Sequence, residues 1–289
     1  MAKGRELKGR IKSVENTRKI TRTMEMVATS KMKRAQDRVI AARPYANALA
    51  EVLSSLFSPD LAARFPLLRQ PAQQRRVAMV VLTSNRGLAG GFNANLVKEA
   101  RARLAEFDGR GVQVDVHVIG KKGVGYFRYV GRAIASQRID ITDRPSAVNA
   151  ASIVDGLMAD YAAERLDGVY VTYAKYNSAL STPPTTQQVL PVTPPAVKQG
   201  TSRRDYLILP SAETILNELL PSYVRNAVYR ALVENEAGFQ SAQRTAMKNA
   251  TDNAGDILTV LRRTYNRARQ AQITQEIAEI VGGAAALEG

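Results

Sequence analysis

The last part of the chain is a long stretch that lacks proline and is rich in helix-forming residues. It runs from Ser222 to Gly289, and Ala, Leu, Ile, Glu, Gln and Arg outnumber the strand-forming residues in it. An α-helix of that length would extend about 100 Å, several times the diameter of a small domain. Because such a helix cannot be buried inside one globular unit, the sequence predicts that it leaves the globule.

The first part of the chain repeats apolar residues with the 4,3 spacing of a coiled-coil heptad. Polar residues interrupt this spacing only at Arg18, Thr21 and Glu25. The apolar positions are Leu7, Ile11, Val14, Ala28, Met32, Ala35, Val39, Ala42, Ala46, Leu49, Leu53 and Leu56. The pattern predicts a second long helix with one seam for a partner, and Pro44 is expected to kink it.

The C-terminal stretch contains two apolar seams of its own. The first keeps the heptad spacing, with Thr264 and Gln275 as polar interruptions, and its apolar members are Ala254, Ile257, Leu261, Ala268, Ala271 and Ala278. The second consists of Ile273, Ile277, Ile280, Ala284 and Leu287. A seam needs a partner. We therefore expect the two terminal helices to pair with each other.

Between the two helices, strand-like and helix-like segments alternate. The strand-like segments are residues 77–83, 114–120 and 169–174, and the helix-like segments are 93–107, 121–130 and 147–164. This alternation is typical of a parallel α/β sheet. The Pro- and Thr-rich residues 182–210 are expected to form an edge strand or a loop before a helix capped by Ser211. The expected domains are a helix over 1–57, a linker over 58–76, an α/β domain over 77–210 and a helix over 211–289.

Composition argues against most enzymes. The chain has no cysteine and one histidine, His117, in a strand-like segment where a structural role is expected. No apolar run exceeds Val77–Leu82, so the sequence predicts neither a membrane span nor a secretory signal. The net charge is +15, and residues 1–43 carry 13 Lys and Arg against 4 Asp and Glu. This basic stripe fits nucleic acid, anionic lipid or an acidic protein partner, or is simply a solvated helix face.

Two glycine-bearing turns follow strand-like segments, where open α/β sheets often bind phosphates. In SNRGLAGGFN (84–93), the spacing of Gly87, Gly90 and Gly91 matches neither common phosphate-binding motif. A tight strand-to-helix turn is the expected role of these glycines, and Arg86 is a candidate contact to another protein. The second turn, GKKGVGYF (120–127), has a generic spacing that is more typical of a solvated turn than of an anion site.

Four segments of the chain resemble one protein family. They are IKSVENTRKITRTMEMVATSKM (11–32), LTSNRGLAGGFNANL (82–96), MKNATDNAGDI (247–257) and YNRARQAQITQEIAEIVGGAAAL (265–287). Together they are similar to the gamma subunits of F-type ATP synthases, and ITQEIAEIVGGAAA is the signature segment of that family. The resemblance covers both ends of the chain and the first strand, loop and helix of its middle.

The resemblance implies a fold and a role. The fold is a long antiparallel coiled coil of the terminal helices plus a Rossmann-like α/β domain. The role is that of a non-catalytic central-stalk rotor without cofactor or metal, turning inside a hexameric ring of alpha and beta subunits that hold the nucleotide sites. The epsilon subunit and the membrane ring of c subunits are the other implied partners, and nucleic acid is not one. The implied location is the cytoplasmic face of a bacterial inner membrane, with the mitochondrial matrix side as the alternative.

The resemblance also implies contact residues for the alpha and beta subunits. Arg269 and Gln270 correspond to a pair that meets a beta-subunit loop, while Met24 and the loop with Arg86 and Gly87 lie near the beta levers. Met24 could equally be ordinary seam packing. From the lengths of the two helices, residues 267–289 are expected to extend past any intrachain partner and to need an external cover. The remaining candidate contacts are Arg267, Ile273, Ile277, Ile280 and Leu287.

Parts of the sequence also fit two other functions. A nucleic-acid-binding coiled coil would use the N-terminal basic stripe, but the chain lacks recognisable nucleic-acid-binding motifs. A sheet enzyme would bind a nucleotide at the glycine turn, but no catalytic constellation accompanies it. The absence of cysteine also excludes the thiol control of plant chloroplast relatives.

Overall fold

A computed structural model describes residues 2–56, 64–193 and 211–288 of the chain. The expected linker over 58–76 and the loop over 182–210 therefore lie partly outside the described residues. In chain order the elements are α1 Ala2–Leu56, a 3-10 turn Pro66–Leu68, β1 Arg76–Leu82, α2 Phe92–Gly109, β2 Gln113–Ile119, α3 Lys121–Tyr129, β3 Ser136–Arg138, α4 Ala147–Ala162, β4 Gly168–Ala174, β5 Pro184–Leu190 and α5 Ala212–Glu288.

The contacts divide the chain into two compact units. A coiled-coil unit contains Met1–Thr29 and Gln243–Gly289, and an α/β unit contains Ser30–Ala242. Both terminal helices run through both units, since α1 continues through Pro44 and α5 through Pro221. Ser211 caps α5 as expected, because its Oγ accepts a hydrogen bond from the Thr214 N–H at 3.2 Å.

The coiled-coil unit is antiparallel. The Thr251 hydroxyl donates to Thr21 Oγ1 at 2.8 Å, and the Arg262 guanidinium contacts the Glu15 carboxylate at 2.5 Å. A Cβ built on Gly4 would lie 4.0 Å from the side-chain oxygen of Gln272. Positions along α1 thus rise as their partners along α5 fall, which confirms the expected pairing of the terminal helices.

The seam of α1 also agrees with the sequence pattern. All twelve of its apolar positions are fully or partly buried, and Ala28, Ala35 and Leu53 are at most 2% exposed. Of the three polar interruptions, Arg18 is exposed, whereas Thr21 and Glu25 are partly buried. Small residues at the seam allow two helix axes to approach closely.

The burial pattern of α5 corrects the expected C-terminal seam. Ala254, Leu261 and Ala268 face inward as expected, but Ile257 is 50% exposed. The other expected members that prove exposed are Thr264, Ala271, Gln275 and Ala278. The inward positions are Met247, Thr251, Ala254, Leu258, Leu261, Tyr265, Ala268 and Gln272. The expected register was wrong at alternate positions, because the observed one places Leu258 and Tyr265 inward in place of Ile257 and Thr264 and so buries more apolar surface.

The α/β unit is built on one five-stranded sheet with the order β3-β2-β1-β4-β5. Strands β1 to β4 are parallel, and β5 pairs with β4 in the antiparallel direction at one edge. Apart from the reversed direction of β5, this is the strand order of a Rossmann-like sheet. The strand order reverses beside β1, so the turn after β1 lies at the switch point of the fold. Strand β1 has six buried residues in a row because helices cover both of its faces.

Two apolar cores lie on the two faces of the sheet. On one face, Ala78, Val80 and Leu82 of β1 pack with α4 and with the first turns of α5, and Leu53 and Leu56 of α1 join them. On the other face, Met79 and Val81 pack against α2 and α3, contributing to a cluster with Ala100, Leu104, Val116, Val118, Val124 and Phe127. The first thirty residues of α5 are thus part of the core of the α/β unit.

Candidate functional site

The end of α5 continues beyond its last described contact with α1. Ala268 and Gln272 are partly buried, and Gln272 lies beside Gly4, so helix pairing extends further than expected. The expectation that the overhang starts at Arg267, which came from the lengths of the two helices, was therefore wrong, because the first turns of α1 pair with α5 as far as Gln272. Within the described residues, the unpaired part begins at Ile273, and its 16 residues to Glu288 span about 24 Å of helix.

Three isoleucines form an apolar face on this overhang. Ile273, Ile277 and Ile280 are 47%, 56% and 71% exposed, and their 4,3 spacing places them on one side of the helix. Fully burying such a side chain stabilises by about 1.5–3 kcal/mol, so covering the exposed fractions of these three would contribute roughly 3–5 kcal/mol. The side chain of Leu287 lies outside the described residues.

Arg267, Arg269 and Gln270 are exposed on the last paired turns of α5. Neither arginine makes an ion pair within the described part of the chain. Both guanidinium groups are therefore available to carboxylates or carbonyls of another molecule, which an arginine binds with a rigid fork of donors. The two arginines precede the isoleucine face along α5, so the end of the coiled coil presents a cationic surface followed by an apolar surface.

Met24 lies at the border between the seam of α1 and its outer surface. It is partly buried, while its neighbours Ile20 and Val27 are 60% and 50% exposed. These three residues occupy positions i, i+4 and i+7 and thus share one stripe of the helix. Met24 therefore contributes both to the edge of the seam and to an exposed apolar surface of the coiled coil.

The turn after β1 is held by its own side chains. The Ser84 N–H donates to Asn93 Oδ1 at 3.0 Å, and the Ser84 hydroxyl donates to the Arg86 carbonyl at 2.5 Å. Leu88 and Gly90 both have a positive φ, of 63° and 54°, which the tight turn requires. The turn projects an exposed Arg86 and a Leu88 that is 62% exposed.

Arg86 and Gly87 are neighbours in the turn after β1, and neither residue type is required there by packing. The charge of Arg86 reaches Asp143, whose pKa is lowered mainly by a hydrogen bond from Lys31 and slightly by Arg86. A Cβ built on Gly87 would lie 3.6 Å from the Lys122 side chain, which is ordinary contact. Space does not require a glycine at position 87, whereas Arg86 is free to meet a partner from its exposed position.

The glycine turn at the start of α3, the less favoured candidate for an anion site, has its first backbone N–H donors already in use. The Lys121 N–H donates to Asn85 Oδ1 at 3.0 Å, the Lys122 N–H to the Ser84 carbonyl at 3.1 Å, and the Gly123 N–H to Thr83 Oγ1 at 2.9 Å. These are the groups with which a helix N-terminus would bind phosphate. Residues 83–85 at the end of β1 and in the turn after it accept all three of these bonds, so the three N–H groups are not available to an anion.

The crevice at the switch point is filled by α5. The Ala174 N–H donates to Asn235 Oδ1 at 3.1 Å, and the rings of Phe92 and Phe239 meet edge to face with centroids 5.6 Å apart. A Cβ built on Gly238 would lie 3.0 Å from the Ala174 Cβ. An open α/β sheet binds nucleotides at this position. Because α5 occupies it, the sheet has no room there for a nucleotide.

Residues that could support metal or proton chemistry are scarce. The ring of His117 is held by a hydrogen bond between Nδ1 and the Ser136 hydroxyl at 2.6 Å, and burial lowers its pKa. Among the described residues, no group of three His, Cys, Asp or Glu side chains is placed to hold a metal ion. Within the same ranges, no helix is long and apolar enough to cross a membrane. His117 thus has the structural role expected from its strand.

One cluster of charged residues was missed by the sequence reading. Lys31 forms an ion pair with Asp143 at 2.7 Å, and Arg38 donates to the Asp143 carbonyl at 2.9 Å. Glu236 of α5 lies in the same cluster. These residues come from three distant segments, so no spacing along the chain predicts that they meet. The excess of cations in residues 1–43 was the only sequence signal for a charged cluster.

Comparison with known proteins identifies the family. A family model described as ATP synthase matches residues 3–287. The ATP synthase gamma chain of Gemmatimonas aurantiaca is 72% identical over 290 residues, covering 100% of both chains, and that of Leptospira biflexa is 42% identical, covering 99% of this chain and 100% of its own.

Solved structures of ATP synthase rotors and central stalks share the fold of this chain. A chain of the Tetrahymena thermophila mitochondrial ATP synthase central stalk and c-ring is 26% identical with a TM-score of 0.62, over 80% of this chain and 99% of its own. A chain of the Euglena gracilis mitochondrial ATP synthase rotor shares the fold with a TM-score of 0.67 at 19% identity, over 94% of this chain and 99% of its own. From the full-length match and the shared fold, the chain belongs to the ATP synthase gamma chain family, whose members are non-catalytic subunits of the central stalk.

Proposed function

We propose that this gamma chain is the rotor that couples proton-driven rotation of a c-subunit membrane ring to ATP synthesis and hydrolysis in a surrounding ring of alpha and beta subunits. The observation that carries the proposal is the overhang of α5, where three partly exposed isoleucines lie beyond the last described contact with α1. A sleeve of neighbouring subunits would cover this face. The nucleotide sites belong to those subunits, since α5 fills the switch point of this sheet.

The mechanism rests on a coiled-coil surface that differs from side to side. The end of α5 carries exposed cations at Arg267 and Arg269 and an isoleucine face one to three turns further on. As such a rod turns, each surrounding beta subunit meets a different surface in sequence. Contacts that favour one conformation of a subunit over another shift its population by their difference in free energy. Rotation would thereby change the nucleotide affinity of each site in turn.

The proposed contacts with alpha and beta subunits fall into two groups. The coiled-coil unit supplies Met24, Arg267, Arg269, Gln270, Ile273, Ile277, Ile280 and Leu287, and the α/β unit supplies Arg86 and Gly87. The support for the first group is exposure without an internal ion pair for the arginines, and apolar exposure for the isoleucines. Arg86 is supported by its exposed position on a turn that is held rigidly by Ser84 and Asn93.

The remaining assignments follow the family. The epsilon subunit and the c-ring are the proposed partners outside the hexamer, and the domain limits 1–57, 58–76, 77–210 and 211–289 are kept as proposals. The complex is peripheral to a membrane. The high identity to bacterial gamma chains supports the cytoplasmic face of a bacterial inner membrane over the matrix side of a mitochondrion.

The test is assembly with alpha and beta subunits of the same source, using the full chain and a chain that ends at Gln272. We expect the full chain to give an active complex that contains one copy of it. Loss of the isoleucine face should weaken assembly by about 100-fold or more, from the 3–5 kcal/mol that its burial contributes, and should lower ATP hydrolysis.

A matched control shows whether a loss of assembly comes from the isoleucine face or from any exposed apolar residue. Val148→Ser removes an apolar side chain that is 75% exposed on α4 of the α/β unit, and we expect it to leave assembly unchanged. A triple variant with serine at 273, 277 and 280 should reproduce the truncation without shortening the helix. If the full chain forms no complex, the proposed function is wrong; if truncation and triple variant both assemble and turn over normally, the isoleucine face is not the contact.

A further inference from the structure

A concave, strongly charged site lies on the α/β unit between α1, the loop after β3 and α5. Its volume is about 260 Å³, and its walls are formed by Lys31, Arg34, Arg38, Asp143, Arg144 and Glu236. Four of these six side chains are cationic. None of the contacts proposed above for the rotor uses this cavity. The charge of the cavity therefore needs a separate explanation.

The positive charges in the cavity are only partly neutralised. Lys31 is paired with the Asp143 carboxylate at 2.7 Å. Arg38 donates to the neutral backbone carbonyl of Asp143 at 2.9 Å, and Arg34 donates to the Ser30 hydroxyl at 3.3 Å. Arg144 makes no ion pair within the described residues. Three guanidinium groups thus line one small cavity without a carboxylate of their own.

The remaining acid, Glu236, is only partly ionised near neutral pH. The pKa of Glu236 is raised to about 7, mainly by burial and in smaller part by the charge of Asp143, although a hydrogen bond from Gln240 and the charges of Lys31 and Arg38 act to lower it. Its Oε1 accepts that hydrogen bond at 2.6 Å. When Glu236 is protonated, the cavity carries four cations against the single carboxylate of Asp143.

We propose that this cavity binds a phosphate-type oxyanion, held by the guanidinium groups of Arg34, Arg38 and Arg144. Guanidinium groups present planar forks of N–H donors that match the oxygens of phosphate and sulfate, and such charge-assisted bonds are the strong ones. A cavity of about 260 Å³ has room for the anion with its waters or for a phosphoryl group carried on a larger molecule. Binding is linked to protons, because an anion and the Glu236 carboxylate repel each other.

The first experiment measures binding of inorganic phosphate to the purified full chain by calorimetry. We expect one saturable site at millimolar concentrations or below, weakened about tenfold or more in Arg144→Gln. The control is Arg101→Gln, which removes the same charge from an exposed position on α2. Equal loss in both variants, or no saturable binding, would overturn the proposal, since only the net charge of +15 would then attract the anion.

Binding of ADP distinguishes whether the oxyanion is free phosphate or the phosphoryl group of a nucleotide. If ADP binds at least as well as phosphate and its binding is lost in Arg144→Gln, the site takes the phosphoryl group of a nucleotide. If phosphate binds and ADP does not, the site takes the free anion. Either result supports an oxyanion site, and neither depends on whether the chain assembles with alpha and beta subunits.

The second experiment follows sulfate, whose own charge is constant between about pH 6 and pH 8 while Glu236 titrates. Sulfate affinity should fall as pH rises through this window in the native chain and should stay level in Glu236→Gln, which keeps an oxygen to accept from Gln240. Proton uptake on binding, read from calorimetry in two buffers, should vanish in the same variant. An equal pH dependence in both proteins would overturn the proposed link between anion binding and protonation of Glu236.

Discussion

Leu258 and Ile257 are adjacent on α5 and allow a matched test of the coiled-coil register. Leu258 is 3% exposed in the seam, whereas Ile257 is 50% exposed outside it. Truncation of either residue to alanine removes the same number of carbon atoms. In the buried position this costs the transfer energy plus a cavity, or about 2–4 kcal/mol. At the half-exposed position it costs about 1 kcal/mol at most, because no cavity forms and alanine is the better helix former.

Amide hydrogen exchange of the full chain reads this difference locally. Where exchange reports the opening equilibrium, 2–4 kcal/mol corresponds to roughly 30- to 900-fold faster exchange around residues 247–265 in Leu258→Ala. Ile257→Ala should accelerate the same amides by no more than about fivefold. Exchange within residues 77–119 of the sheet should be unchanged in both variants. If Ile257→Ala proves as damaging as Leu258→Ala, the seam runs through Ile257 and the register described here is wrong.

Two further changes test the α/β unit by urea unfolding. The pKa of Glu236 is raised from 4.5 to about 7 in the folded chain, so the stability that comes from its neutral form is present below pH 4.5 and is lost as pH rises through 7. Between pH 5 and pH 8, the free energy of unfolding of Glu236→Gln should therefore rise by about 2–3 kcal/mol relative to that of the native chain. A difference between the two proteins that stays constant over this range would contradict the argument. Gly120→Ala should destabilise by about 2–3 kcal/mol or more, because φ is 97° and the added Cβ would lie 2.3 Å from the Thr83 carbonyl oxygen. Gly125→Ala on α3, where nothing lies within 4 Å, should be neutral or slightly stabilising, and a similar loss in both would refute the steric argument.

The parts of the fold that follow from local pattern were predictable from the sequence. The heptad of α1 contains one apolar residue at nearly every seam position, so only one register buries it. Strands β1, β2 and β4 are each dense in valine and bounded by turns, which identified them within a residue or two. The three residues of β3, Ser136–Arg138, are polar and too short to give any periodic signal.

The candidate contacts were predictable only where exposure follows from helix length. An unequal pair of helices must leave one end without a partner, which pointed to Ile273, Ile277 and Ile280. Where two neighbouring apolar residues compete for one seam position, as Ile257 and Leu258 do, the spacing alone does not choose between them. The cluster of Lys31, Asp143 and Glu236 could not be found in this way, because its members meet only through the tertiary fold.

The bonds between α5 and the end of β4 have a mechanical consequence. Asn235 accepts from the Ala174 N–H, and Glu234 accepts from the Tyr176 N–H at 3.1 Å, with both polar side chains buried. A helix held to a sheet only by apolar contacts could slip about its own axis, since such contacts have little directional preference. Hydrogen bonds to fixed backbone positions resist that slip. Torque applied to the sheet would therefore reach α5 through directional bonds as well as through packing, and the α/β unit holds its own length of helix against rotation.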